Sequence, residues 1–215
     1  AVGFGATASV WSATAIGSGA SSGINGVAVG QGSIAGYWQF NEEAGQSELI
    51  GSGGVAVGQY ASASGYAGTA VGGTSDGSYT SARAAGRYGT ALGAGAYAGS
   101  LDDTTTADFT TAVGSEAWAV TDNASAVGYN SYAQASNATV IGAHAWTSAD
   151  ADNSVALGQG SYVDRANAVS VGAAAEWTDA GGMVHAAVDP QITNLAAPTA
   201  AADPVNKTEL DRVCE

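Results

Sequence analysis

The sequence predicts an all-β solenoid of short parallel strands. Three observations carry that reading: a glycine that returns at a fixed period, an aliphatic residue in front of it, and small residues behind it. The glycines are Gly3, Gly17, Gly30, Gly58, Gly72, Gly93, Gly114, Gly128, Gly142, Gly158 and Gly172. Five of the ten intervals are 14 residues, one is 28, and the rest are 13, 16 and 21. That pattern reads as one deletion and a few loop insertions in a 14-residue coil. The clearest copy is Asn153-Ser154-Val155-Ala156-Leu157-Gly158-Gln159-Gly160-Ser161-Tyr162-Val163.

Take each glycine as position zero. Position −1 is aliphatic in all eleven copies: Val2, Ile16, Val29, Val57, Val71, Leu92, Val113, Val127, Ile141, Leu157 and Val171. Position −2 is Ala in nine of them, with Val140 and Ser170 the exceptions. Position −3 is Val, Thr or Ser. The alternation has period two, so positions −3 to −1 read as a short strand with −1 and −3 on one face and the small residue on the other. A second short strand follows the glycine. Position +3 is always Ala or Ser (Ser75 fills it in the coil of Gly72), and position +5 is mostly small. Both face the Ala of the first strand and leave a thin interior. Glycine makes the corner between the strands, because it takes φ > 0 without steric cost. At the other corner, position −5, stand Asn123, Asn137, Asn153 and Asn167, a residue type that closes turns.

An interior of alanine cannot hold such a coil by itself. The larger aliphatics point outward in a continuous stripe, and leaving each in water forgoes roughly 1.5–3 kcal/mol. So long an exposed apolar stripe predicts an interface. The economical arrangement is several identical rolls packed stripe to stripe with closed symmetry.

The motif Asn153-Ser154-Val155-Ala156-Leu157-Gly158, the related Thr139-Val140-Ile141-Gly142 and the 14-residue period resemble the head repeats of trimeric autotransporter adhesins, the YadA-like head. The resemblance covers about residues 1–172. It implies a left-handed parallel β-roll, homotrimeric, with Val29, Val57, Val71, Leu92, Val113, Val127, Ile141, Leu157 and Val171 in the trimer core. It also implies a bacterial surface adhesin, a virulence factor anchored in the outer membrane by a C-terminal part outside this chain. Its ligand would be an extracellular matrix protein such as collagen. The chain opens in mid-repeat at Ala1-Val2-Gly3, from which a fragment of a longer protein is expected.

Composition agrees with a proline-poor parallel ladder. All three prolines (Pro190, Pro198, Pro204) lie near the C-terminus, and the repeats contain none. The formal charge is −14 with only five Lys and Arg. That excludes nucleic acid, whose phosphates need basic contacts, and gives a surface that resists aggregation. No apolar run approaches the length that spans a membrane, so no membrane contact is expected of this segment.

Two stretches break the period. Near 36–53, Tyr37, Trp38 and Phe40 lie beside Glu42 and Glu43 in a loop that replaces or extends one coil. It reads either as a binding loop or as a local cap. Near 99–109 lies a polar, acidic insertion. One column stands apart: position +4 is Tyr97, Trp118, Tyr132, Trp146 and Tyr162 in successive copies. By alternation these rings lie on the outer strand, as a ladder about 20 Å long at about 4.8 Å per coil. They serve either as stacking for stability or as an exposed binding stripe.

Groups for catalysis are sparse. Gly19-Ala20-Ser21-Ser22-Gly23 matches G-x-S-x-G, but that motif needs a strand, an elbow and a helix, and here it sits in a Gly/Ser-rich coil. His144 and His185 are the only histidines; His144 occupies an ordinary repeat position and is expected to be exposed. Asp102, Asp103 and Asp108, or Asp150 and Asp152, lack the spacing of a calcium loop and read as turn residues. Asn123-Ala124-Ser125 and Asn137-Ala138-Thr139 match the glycosylation sequon, but the repeat register accounts for both. The single cysteine, Cys214, permits no disulfide within one chain. No catalytic residue, cofactor or metal is expected.

After Gly172 the repeat ends. Residues 176–204 read as an irregular connection and a neck, with Ile192, Asn194 and Leu195 as neck residues, followed by Val205, Asn206 and Leu210. From 205 to 215 a coiled-coil helix is expected to begin, with Asp203 as N-cap and Pro204 in the first turn. The same ending resembles the helical junctions of phage tail fibres. A trimeric fibre segment that recognises a bacterial surface is therefore the second reading of the sequence.

Overall fold

The computed structural model describes residues 1–8, 11–41, 46–50, 53–74, 81–101, 107–179, 182–193, 196, 198 and 199, with 37–41 and 46–50 described through their backbone alone. The repeats wind into a β-roll, in which every coil gives one strand to each of two ten-stranded parallel sheets. The first sheet takes positions −3 to −1: Thr14–Ile16, Val27–Val29, Val55–Val57, Thr69–Val71, Thr90–Leu92, Thr111–Val113, Ser125–Val127, Thr139–Ile141, Val155–Leu157 and, shorter, Val169–Ser170. The second takes positions +4 and +5, from Thr7–Ala8 and Ser21–Ser22 through Tyr132–Ala133 to Tyr162–Val163. Glycine register is kept throughout: Val113 lies opposite Val127, Val127 opposite Ile141, and Ile141 opposite Leu157. An isolated parallel bridge joins Val2 to Ile16 and adds the first rung.

The interior is as lean as the small-residue columns predict. Ala28, Ala56, Ala91 and Ala126 of the first sheet are fully buried, as are Ala20, Ala35, Ala63 and Ala119 around the second. The largest fully buried side chain is Val140, followed by Thr110 and Thr147. The sealed serines return their hydroxyls to the backbone. Ser33 donates to the Gly30 carbonyl at 2.9 Å and Ser131 to that of Gly128 at 3.0 Å, as buried polar groups must.

The repeat glycine is required twice over. Gly128 has φ 136°, and a Cβ there would lie 2.5 Å from the carbonyl oxygen of Gly142 in the next rung. Gly17 stands in the same relation to Gly30. Position −5 forms the opposite corner, and there the backbone is left-handed as well. Asn25, Asn123, Asn137, Asn153 and Asn167 have φ between 54° and 58°. Their amides link rung to rung, Asn123 donating to Asn137 at 3.1 Å and Asn137 to Asn153 at 3.2 Å. Tyr88 and Phe109, both at φ 56°, occupy the same column. There a bulky side chain costs about 1 kcal/mol relative to a right-handed turn.

The structure revises several expectations. In the 28-residue interval Val27–Val29 pairs directly with Val55–Val57, which decides between the two readings of the inserted loop. The extra residues form an antiparallel hairpin, Tyr37–Asn41 with Gln46–Ile50, that adds to a coil without replacing it. Ser75 lies outside the described residues, and Ala82 takes the +3 place. Ala82 is fully buried, and its N–H donates to the Gly72 carbonyl at 3.1 Å. The 21-residue interval after Gly72 is thus an insertion at the glycine corner. Position +2, which the sequence reading did not single out although Gly5, Gly19, Gly32, Gly95 and Gly160 fill it, is left-handed in most rungs, with Tyr60, Glu116, Asn130 and His144 at φ 49–57°. Within the stretch read as irregular, Trp177–Thr178 and Val184–His185 form an antiparallel hairpin. Ala173 pairs with Val188 beside it. Asn194, Leu195, Val205, Asn206 and Leu210 of the expected neck, Cys214, and the expected helix lie outside the described residues.

Candidate functional site

The aliphatic column forms a stripe on the outer face of the first sheet. Val29, Val57, Leu92, Val113, Val127 and Val171 are half-buried, while Val71, Ile141 and Leu157 are exposed, Leu157 at 45%. Among the described residues none covers them, because each strand puts its small residue inward and its two larger neighbours outward. The stripe runs along one straight face, since the in-register ladder stacks each residue on its equivalent.

The aromatic column lies on the outer face of the second sheet, as alternation predicts. Tyr97 and Trp118 are 5.7 Å apart, Trp118 and Tyr132 5.8 Å, and Tyr132 and Trp146 4.3 Å. Tyr132 is the most enclosed ring, 8% exposed, and burial raises its phenol pKa above the ordinary value. Arg83 precedes the rings in the same column, with its guanidinium 5.3 Å from the Tyr97 ring centre. Trp146 and Tyr162 are joined through Trp177, which stacks on Tyr162 at 4.7 Å and meets Trp146 at 5.7 Å. Trp177 extends the ladder beyond the repeats. The sequence hid it, because it comes from the C-terminal hairpin and not from the period. His185 stacks on Trp177 at 4.1 Å, and its Nε2 bonds to Asp179 Oδ2 at 3.0 Å.

Other sequence candidates take structural roles. Asp108 does not stand free in a turn: Arg87 donates to it from its backbone N–H at 3.0 Å and from Nε at 2.7 Å. Those bonds hold the Asp108 carboxyl below its usual pKa, against a smaller opposing push from burial. Asp122 accepts the Asp108 N–H at 2.8 Å, and Asp152 accepts the Ser136 N–H at 2.9 Å. Position −6 is thus a column of side chains that cap the neighbouring rung. His144 is half-buried, with its Nδ1 3.2 Å from the Asn130 amide and its ring edge-on to Tyr129. That is a packed position, more enclosed than expected. Ser21, the serine of the G-x-S-x-G match, sits in the two-residue strand Ser21–Ser22 between Thr7–Ala8 and Ile34–Ala35, and the chain runs on into the strand Val27–Val29 with no helix between, so no nucleophile elbow forms. Among the described residues no group of three or more His, Cys, Asp or Glu could hold a metal. A cavity of about 340 Å³ opens where the last coil meets the C-terminal hairpin, between Val163, Ala168 and Trp177. Tyr37, Trp38 and Phe40 lie on the first strand of the inserted hairpin, opposite Ile50, Leu49 and Ser47. Ile192 is exposed.

The YadA head domain repeat matches residues 106–131, 122–145, 133–161 and 149–175. Among solved structures, the collagen-binding domain of the Yersinia adhesin YadA is similar along 89% of this chain and 84% of its own length. Its identity to this chain is 28% and the TM-score is 0.59. No curated protein matches the sequence.

Proposed function

We propose that the chain is a YadA-like adhesin head, supported by that family's repeats over residues 106–175 and by the similar Yersinia domain, and that it works without catalysis as the head segment of a homotrimer displayed on a bacterial surface. The observation that carries the reading is the uncovered aliphatic stripe from Val29 to Leu157 over an interior whose largest sealed side chain is Val140. Three copies placed stripe to stripe would bury the residues that a single roll leaves in water.

The ligand proposed for the trimer is an extracellular matrix protein such as collagen, the ligand named for the similar Yersinia domain. The ladder from Tyr97 to Tyr162 is the proposed contact face. It would be presented three times, so that weak single contacts add through avidity. The test joins mass in solution by light scattering with binding to immobilised triple-helical collagen and other matrix proteins. A trimer that binds a matrix protein supports the reading. A stable monomer, or a trimer indifferent to every matrix protein tried, defeats it.

A further inference from the structure

Tyr66, Tyr88 and Phe109 stand on three successive rungs at the −6/−5 corner, away from both the stripe and the ladder. Tyr88 stacks on Phe109 at 5.1 Å with their planes 10° apart, and Tyr66 meets Tyr88 edge-on at 5.6 Å. All three rings are about half exposed. The backbone makes them conspicuous. Tyr88 and Phe109 hold a left-handed conformation that the same column elsewhere gives to small or polar residues: Ser12, Gly53, Ala67, Asn25, Asn123, Asn137, Asn153 and Asn167. Asn adopts it at least cost among residues with a side chain, and the Asn rungs make the same turn. The fold therefore does not need rings here, and three half-exposed aromatics on a corner that small or polar residues fill elsewhere point to something outside the chain.

We propose that this edge, Tyr66–Tyr88–Phe109 continued by Asn123 and Asn137, is a binding track for a neutral, linear polysaccharide. The rings offer apolar surface to the C–H faces of pyranose units. Along the ladder Asn123 uses one donor, and Asn137 one donor and one acceptor. Each side chain keeps a second N–H and further lone pairs for sugar hydroxyls. The track advances about 4.8 Å per rung, close to the step of one sugar in an extended chain.

Charge decides the class. The chain carries −14, and Arg87, the cation on this edge, is held by Asp108 at 2.6 Å, so a polyanionic glycan is repelled. A cationic peptide would need free carboxylates. The charge of Asp108 is already met by Arg87, and Asp122 and Asp152 are each tied through one oxygen to a backbone N–H of the preceding rung, which leaves the peptide comparison below to test the remaining charge.

The test uses the intact chain in its solution assembly, titrated calorimetrically with hexasaccharides of β-linked glucose, mannose and N-acetylglucosamine. Heparin and a lysine-rich peptide serve as charged comparisons. At least one neutral hexasaccharide should bind, and Tyr88→Asn with Phe109→Asn should weaken it by about tenfold or more. The double variant should melt no lower than the parent and keep any collagen binding, because it restores the residue the column prefers. Failure of all three sugars, unchanged sugar binding in the variant, preference for heparin or the peptide, or a lowered melting temperature would each overturn the assignment. Loss of collagen binding by ladder variants, with sugar binding intact, tests the other surface separately.

Discussion

Arg87 Nη2 lies 2.6 Å from Asp108 Oδ2, and the same carboxylate takes the Arg87 backbone N–H through its other oxygen. One side chain thereby ties two rungs together across the acidic insertion. The Asp108 side chain is 9% exposed, and its carboxyl is held below the ordinary range. A carboxyl lowered by folding adds stability above its unfolded pKa of about 3.9, and that contribution is lost as pH falls through the lower folded value. Asp108→Asn should therefore melt earlier than the parent at pH 7. The gap should close on acidification below about pH 4, as seen by circular dichroism melts across pH.

Gly128→Ala places a methyl 2.5 Å from the Gly142 carbonyl at φ 136°. Strain of that kind costs about 1–3 kcal/mol before the clash is counted, so the variant should lose several degrees of melting temperature or fail to assemble. Gly53→Asn is the comparison: its φ is 67° with open space around the added Cβ, and Asn fits the column. It should melt within a degree or two of the parent; a value as low as that of Gly128→Ala would refute the close-approach argument.

Val127→Asp puts a charge in the middle of the uncovered stripe between Val113 and Ile141. In a single roll this residue already meets water, so the isolated chain should tolerate the change. In the proposed trimer, three unpaired carboxylates would meet at the axis, each costing several kcal/mol. Sedimentation should show loss of the trimer. A trimer of unchanged stability would show that the stripe lies elsewhere in the assembly.

Tyr132→Ala removes the most enclosed ring of the ladder, 4.3 Å from Trp146. Truncating such a ring costs about 3 kcal/mol, visible as a lowered melting temperature, whereas Trp118→Ala at the more exposed neighbouring ring should cost less and act mainly on ligand binding. Because folding raises the Tyr132 phenol pKa, its contribution is complete below the unfolded value of about 10 and fades as pH rises through the folded one. Tyr132→Phe should remove that alkaline loss, which urea melts at rising pH will read directly.

The rungs were legible because period two and period fourteen coincide in them. Alternation set the inward and outward faces, and Ala at −2 and +3 marked the interior that Ala28 and Ala20 now form. The insertions were visible only as broken spacing. Whether Ser75 or Ala82 closed the coil of Gly72 depended on a hydrogen bond to the Gly72 carbonyl, which no residue preference encodes. Trp177 joined the ladder through a hairpin pairing Trp177 with His185, a contact with no periodic signal. The left-handed turns were readable where Asn or Gly fills them. At Tyr88, Phe109, Glu116 and His144 the stack imposes the conformation against preference.

The backbone N–H groups of each sheet point to the neighbouring rung, as in Gly128 to Val113 and Gly142 to Val127. A pull along the stacking direction therefore loads those bonds lengthwise, a few per rung, and the end rungs should peel first while the middle holds. Such a head would lengthen under tension in small successive steps and recoil when released. A shaft swept by flow would then shed force gradually before its grip on a surface failed.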